Sequence, residues 1–265
     1  MTDGIKFDTI SAERKSLMRR FFTEPQNISG NVAEIFEDAK HIEKVLRMNC
    51  GDKILIFDGT GAEYTAQLVS IEKSVCRAEI LEKSYSLSEP KIKITLFQAL
   101  PKAGKMETII QKAVELGVFE IVPVMTERCV TKINNKAAGE EKAKRWNKVS
   151  VEAVKQCGRG LVPKVHEPVT FEKAIEMLKN LQIPLMPYEM LGHEGQKGLK
   201  EILNSNREAK EFGILVGPEG GFADSEAEYA VENGIKAIGL GRRILRTETV
   251  ASALIPMIMF DRDEL

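Results

Sequence analysis

The sequence has few of the residues that hold metals or cross-link chains. It contains four cysteines and three histidines in 265 residues, and no two cysteines stand in a Cys-x-x-Cys arrangement. This distribution fits neither a disulfide framework nor a cluster of metal ligands. We therefore expect buried free thiols and no bound metal.

Long apolar runs and an excess of one charge are missing as well. No apolar stretch reaches the roughly 18 residues of a membrane helix, and the N-terminus lacks the apolar region of a signal peptide, so we expect a soluble, cytoplasmic protein. A net charge of −1 argues against a protein that coats nucleic acid by bulk electrostatics. Basic clusters at 14–20 and 128–159 are either solvated faces or local RNA contacts.

The first third of the chain predicts a small β-rich module. Residues 1–17 show no period and are expected to form an extension. Short strand-like runs stand at 19–22 and 53–57, and alternating apolar residues predict strands at 63–69 and 75–81. A helix is expected from Asp38 as N-cap, with Ile42, Val45 and Leu46 facing inward. Together these elements predict a barrel-like domain over 18–83.

The polar, serine-rich segment 84–91 predicts a linker, after which strands and helices alternate. The expected strands are 93–99, 120–125, 183–188, 213–217 and 237–241. The expected helices are 105–116, 140–157, 194–203, 224–233 and 248–260, the last with a kink at Pro256. Such alternation is typical of a parallel sheet covered by helices, here a domain over 92–265.

Two glycine-rich segments follow predicted strands near the C-terminus: Leu-Val-Gly-Pro-Glu-Gly-Gly-Phe at 215–222 and Leu-Gly-Arg-Arg-Ile-Leu-Arg-Thr-Glu-Thr at 240–249. Ligands of open α/β sheets bind beyond the carboxyl ends of the strands, and glycine lets the backbone approach them closely. A single such segment is equally typical of an ordinary turn. The dinucleotide and phosphate-loop fingerprints are absent, so a nucleoside-like ligand is favoured.

These two segments, with Arg19-Arg20-Phe-Phe and Lys102-x-x-Lys105-x-Glu107, resemble the RsmE family of the SPOUT superfamily, whose members methylate N3 of a uridine in 16S ribosomal RNA. The resemblance runs from about Met18 to the end. It implies a C-terminal α/β domain with a trefoil knot, against the general rule that chains do not thread loops, and an N-terminal PUA-like barrel for RNA. It also implies S-adenosylmethionine as cofactor and a homodimer with the site near its interface.

The chain departs from the family pattern in two places. Residues 1–17 extend beyond the usual start, and Ala223 stands where a serine or threonine cap is common, which moves the expected helix cap to Asp224. Rival functions are methylation of another RNA nucleotide by a SPOUT enzyme and a non-catalytic RNA-binding assembly factor.

The resemblance places the cofactor against the two glycine-rich segments and a third wall near Met186 to Glu189. The expected cofactor-binding residues are Leu215, Val216, Gly217, Pro218, Glu219, Gly220, Gly221, Leu240, Gly241, Ile244, Leu245, Thr247, Glu248, Thr249, Met186 and Tyr188. Glu219 either holds a loop N–H group or lies near the substrate.

Arg246 is the expected catalytic residue, because a cation there would stabilise negative charge developing on the uracil ring. The alternative for Arg246 is a structural ion pair, and the alternative for Arg242 and Arg243 is a pair with an acid such as Glu248. Neither segment contains a histidine, so no general base is assigned.

The expected partner is 16S RNA of the small ribosomal subunit. The residues expected to contact it are Arg19, Arg20, Lys102, Lys105, Arg145, Arg159, Arg242 and Arg243. Phe21 and Phe22 are either stacking platforms or core residues.

Overall fold

The computed structural model of this chain describes residues 18–102, 104–133, 135–188 and 194–265. It divides into two compact units. The first comprises the chain up to Glu89 together with Val154–Val162, and the second comprises Pro90–Ala153 and Pro163–Leu265. The expected extension at 1–17 lies outside the described residues.

The first unit is built on a six-stranded sheet in the order β1-β4-β5-β6-β3-β2. Its strands are β1 (Arg20–Phe22), β2 (Ile28–Ser29), β3 (Val32–Ile35), β4 (Lys53–Phe57), β5 (Ala62–Ile71) and β6 (Cys76–Tyr85). β1 runs parallel to β4, and the other neighbours are antiparallel. The predicted strands are confirmed, whereas the short β2 and β3 were not predicted.

The buried face of this sheet follows the alternation of the sequence. Tyr64, Ala66 and Leu68 of β5 all face the core, as a period of two requires. Phe21 of β1 is 3% exposed and belongs to the same core. Phe22 faces the other way and packs on the Phe57 ring, with centroids 5.5 Å apart.

The helix expected after Asp38 is reduced to a π-helical turn over His41–Val45. Ile42 is fully buried, as predicted, but Val45 is 66% exposed. The reason is the wider i to i+5 bonding, in which the Leu46 N–H bonds the His41 carbonyl at 2.9 Å. This bonding rotates Val45 away from the face that Ile42 buries.

Glu89 attaches the segment Val154–Val162 to the first unit. Its carboxylate accepts hydrogen bonds from Arg159 Nη2 at 2.7 Å, from the Gly160 N–H at 2.9 Å and from the Leu161 N–H at 3.0 Å. No local pattern predicts this return of the chain, because nothing near Glu89 in the sequence marks it as the partner of residues some 70 positions away.

The second unit contains a parallel sheet in the order β10-β8-β7-β12-β11-β13, with β9 beside β8. Its strands are β7 (Lys93–Ala99), β8 (Glu120–Met125), β9 (Lys164–Val165), β10 (Val169–Thr170), β11 (Ile183–Pro187), β12 (Glu211–Val216) and β13 (Lys236–Ile238). Its helices are α1 (Lys105–Glu115), α2 (Lys136–Cys157, whose last turn belongs to the first unit), α3 (Phe171–Leu178), α4 (Glu194–Ser205), α5 (Asp224–Glu232) and α6 (Thr247–Asp261).

The expected parallel sheet is confirmed, with β7 and β8 at the predicted bounds. The elements β9, β10 and α3 were not predicted, and α2 begins four residues before the predicted Glu140. Helix α6 continues through Pro256 as far as Asp261. No helix among the described residues is long and apolar enough to cross a membrane.

The expected cap of α5 was wrong by one residue. Ala223, not Asp224, is the N-cap, and its side chain has no acceptor. Instead, Glu226 Oε2 accepts a hydrogen bond from the Ala223 N–H at 3.0 Å. This bond is one half of a capping box, in which the N3 carboxylate binds the N-cap N–H; the other half, an acceptor on the N-cap side chain, is missing at Ala223.

Replacing Glu89 with alanine should destabilise the first unit. The variant removes the Glu89 carboxylate from the Arg159 guanidinium, in a residue only 4% exposed, and from the Gly160 and Leu161 N–H groups. Losing one partner of a buried pair costs about 3 kcal/mol. Urea unfolding measures the change. Glu176→Ala, which removes the exposed Lys173–Glu176 pair, is the control and should cost less than about 0.5 kcal/mol. Equal losses in the two variants would contradict the account.

Candidate active site

A cavity opens at the carboxyl edge of the parallel sheet, beyond β11 and β12 and against the segment that leads into α6. Because β11 lies between β12 and β13, the end of β11 separates the two glycine-rich segments. The cavity is lined by Pro187, Tyr188, Val216, Gly217, Pro218, Glu219, Gly221, Phe222, Leu240, Gly241, Arg242, Arg243, Ile244, Leu245, Thr247 and Val250. The two segments thus share one crevice.

Thr247 joins the elements that surround this cavity. Its hydroxyl donates a hydrogen bond to the Gly217 carbonyl at 2.7 Å and accepts one from Gln98 Nε2 at 2.9 Å. Thr247 is 4% exposed and Gln98 is fully buried. One hydroxyl therefore connects the end of β7, the first glycine-rich segment and the start of α6.

The glycines act in different ways. Gly221 and Gly241 line the cavity with φ of +67° and +100°, a conformation that other residues rarely adopt. A Cβ on Gly217 would stand 3.2 Å from the Phe222 ring, so this glycine lets the segment fold back on Phe222. Gly220 lies off the cavity, where a Cβ would stand 3.3 Å from Cβ of Arg128.

Lys105 bridges the two glycine-rich segments. Its ammonium lies 3.1 Å from Glu219 Oε1 and 3.1 Å from Glu248 Oε2. Hydrogen bonds to these two carboxylates raise the pKa of Lys105. Burial works against ionisation of Glu219, but bonds from its own backbone and from Lys105 keep its pKa below the ordinary value. Glu219 also accepts the Lys102 N–H at 3.2 Å, which favours the expectation that it holds a loop N–H group.

Most of the expected cofactor residues line the cavity, but five do not. Leu215 and Met186 are fully buried in the core behind it. Gly220, Glu248 and Thr249 lie beside the cavity rather than on its wall. Glu189 lies outside the described residues.

Phe222 and Val250 line the cavity although they were not predicted, and Pro187 lines it within the predicted third wall. A signal existed for both missed residues. Phe222 closes the first glycine-rich segment, and Val250 lies one helical turn after Thr247, on the same face of α6.

Arg246 is exposed and occupies the N-cap position of α6. Its carbonyl accepts the Thr249 N–H at 2.8 Å. Across the part of the chain that the structure describes, no carboxylate lies within ion-pair distance of its guanidinium, and Glu248 pairs with Lys105 instead. Arg242 and Arg243, expected as RNA contacts, are exposed and line the cavity itself.

Two of the expected RNA contacts are held inside the first unit. Arg20 donates to Glu63 Oε1 at 2.9 Å and to the Arg159 carbonyl at 2.7 Å, and its guanidinium covers the Phe57 ring. Arg159 is buried and bonded to Glu89. These bonds argue against phosphate contacts for both side chains, since each guanidinium is already bound to protein acceptors.

The other expected RNA contacts differ in whether their side chains are paired with a carboxylate. Arg19 and Lys102 are exposed. Arg145 is 67% exposed but pairs with Glu107. Burial opposes ionisation of Glu107, yet the Arg145 hydrogen bond lowers its pKa.

Among the described residues, no group of three His, Cys, Asp or Glu side chains is placed to hold a metal ion.

Residues 88–259 match a family model described as an RNA methyltransferase domain, and residues 37–81 match one described as an RNA methyltransferase PUA domain. The ribosomal RNA small subunit methyltransferase E of Bacillus subtilis is 32% identical over 253 residues, which cover 94% of this chain and 98% of that protein. The chain belongs to the ribosomal RNA small subunit methyltransferase E family.

Solved structures of similar proteins agree with this membership of the methyltransferase E family. A ribosomal RNA small subunit methyltransferase E from Neisseria gonorrhoeae, bound to S-adenosyl methionine, is 32% identical with a TM-score of 0.79, over 92% of this chain and 97% of that one. A putative methyltransferase from Legionella pneumophila with bound SAM is 29% identical, with the same TM-score and coverage. The predicted fold class, a SPOUT-type α/β domain with a PUA-like β domain, is confirmed. The knot stays a prediction.

Replacing Thr247 with valine should lower the free energy of unfolding, because the Thr247 hydroxyl joins the elements that surround the cavity. Valine keeps the shape but removes the hydroxyl, so the Gly217 carbonyl and Gln98 Nε2 each lose a partner. Such a loss costs about 1–3 kcal/mol, measurable by urea unfolding. Thr247→Ser, which keeps the hydroxyl, should stay close to the wild type. A valine variant as stable as the serine variant would show that these hydrogen bonds do not hold the site.

Proposed function

We propose that this protein methylates N3 of a uridine in 16S ribosomal RNA of the small subunit, with S-adenosylmethionine as methyl donor. The observation that carries the proposal is the single cavity formed by the two glycine-rich segments, in a chain that matches the methyltransferase E relatives almost from end to end. The Neisseria relative binds S-adenosyl methionine, and the same ligand suits this cavity.

The cavity residues fit such a cofactor. Gly221 and Gly241 place bare backbone on the wall. The Gly221 N–H already donates to the Pro218 carbonyl at 2.9 Å, so the other N–H and C=O groups of the wall are those that can bond an adenine edge and ribose hydroxyls. Apolar side chains of Leu245 and Val250 complete the wall and would cover the flat adenine ring. The wall thus combines backbone hydrogen-bonding groups with apolar cover, which suits a nucleoside better than a triphosphate.

The chemistry asks the protein mainly to orient its reactants. When bound, the cofactor supplies a methyl group already activated by a sulfonium. The protein must align the uridine N3 with that group, and positioning of this kind contributes roughly 7–11 kcal/mol in favourable cases. Loss of the imide proton leaves negative charge on the uracil ring, and Arg246, exposed and unbound to any described carboxylate, is the cation we assign to stabilise it.

RNA reaches this site through exposed cations around the cavity. Arg242 and Arg243 line it, and Lys102 is exposed on the loop after β7. Such side chains bind phosphate without reading sequence. This local group supports RNA binding in a chain whose net charge is only −1.

We also propose that the protein acts as a homodimer in the cytoplasm. Three apolar side chains on and before α6 support the dimer: Ile244, Met257 and Phe260 are 81%, 46% and 74% exposed. Met257 and Phe260 are three residues apart and share one face of α6, and neighbouring exposed apolar groups of this kind mark surfaces that a partner covers.

The test is methyl transfer to small ribosomal subunits isolated from cells that lack this gene, followed by mass mapping of the RNA. The wild type should add one methyl group to a uridine. Arg246→Ala should lower kcat by about 100-fold or more, while cofactor affinity changes less. Arg207→Ala, a surface arginine paired with Asp261, is the control and should keep wild-type turnover.

Each contrary result has a distinct meaning. A methyl group on another nucleotide would contradict the uridine assignment, and cofactor binding without transfer would favour a non-catalytic assembly factor. Wild-type turnover in Arg246→Ala would make Arg246 a structural residue.

A further inference from the structure

Lys105 stands at the start of α1, a helix that contributes nothing to the cavity wall. Its ammonium nevertheless contacts both cofactor segments. Glu219 belongs to the first glycine-rich segment and Glu248 to the first turn of α6, which continues the second. Lys105 therefore connects the two walls from outside the cavity.

The loop before α1 reinforces this connection. The Lys102 N–H points at both oxygens of Glu219, at 3.3 and 3.2 Å. Glu219 is thus held by one side chain and one backbone group from the same loop and helix start. These bonds connect the first glycine-rich segment to the loop that follows β7.

The cluster is partly shielded from solvent. The side chains of Lys105, Glu219 and Glu248 are 33%, 23% and 24% exposed. An ion pair at this depth is screened less than one on the open surface. Both carboxylates lie 3.1 Å from the same nitrogen, so they are close enough to repel each other if the ammonium is removed.

We propose that Lys105 is a positioning residue, which holds the two cofactor segments in their binding arrangement, rather than a contact for RNA phosphate. The raised pKa of Lys105 and the lowered pKa values of both glutamates agree with this arrangement. The inference rests on the proposed function, because it assigns these segments to S-adenosylmethionine.

The experiment measures S-adenosylmethionine affinity by calorimetry and the KM for small ribosomal subunits by kinetics. Lys105→Met should raise the cofactor Kd about tenfold, because the glutamates then repel and the segments separate. The KM for the ribosomal subunit should change little. Lys105→Arg keeps the charge and should restore most of the affinity.

A second background separates positioning from a direct role of the ammonium. In the Glu219→Gln, Glu248→Gln variant the repulsion is gone, so adding Lys105→Met should have little further effect. The control is Lys112→Met on the same helix, whose partner Glu115 lies outside the cavity wall. Its cofactor Kd should match the wild type.

A wild type that binds no cofactor would contradict the proposed function itself. Wild-type affinity in a folded Lys105→Met protein, with a raised KM for the ribosomal subunit, would overturn the inference in favour of an RNA contact. Full loss from Lys105→Met in the double-glutamine background would also overturn it. Should Lys105→Met fail to fold, Lys105→Gln answers the same question.

Discussion

The candidate site depends on one hydroxyl group. Thr247 donates to the Gly217 carbonyl and accepts from the buried Gln98 amide, so its hydroxyl joins the two glycine-rich segments on their buried side, while Lys105 joins them from outside the cavity. A buried polar chain of this kind is costly if any member lacks its partner. The hydrogen bonds that satisfy these buried groups therefore also hold the cavity walls in place at the edge of the sheet.

Local pattern was enough to place the cavity. The apolar runs at β12 and β13 and the glycine-rich segments that follow them identified the edge at which the strands end, because a parallel sheet brings the carboxyl ends of its strands to one side. Within the first segment, however, Gly220 turned out to face Arg128. Glycine content shows where backbone must turn, but not which glycine the ligand meets.

Charged residues were harder to interpret, because their partners are distant in the chain. From the sequence, Arg20, Arg159 and Lys105 were all predicted to contact RNA. The structure pairs Arg159 with Glu89 and places Lys105 between two glutamates. Similarly, the return of Val154–Val162 to the first unit rests on Glu89 and has no local signature. Sequence pattern predicts elements well and long-range ion pairs poorly.

Hydrogen exchange tests most directly that the two glycine-rich segments form one cofactor site. Deuterium uptake is compared by mass spectrometry with and without saturating S-adenosylmethionine. The account predicts protection in peptides covering 215–222 and 240–250 together, with no change in β4 and β5 of the first unit. Cofactor binding that protects only one segment, or neither, would contradict a shared site.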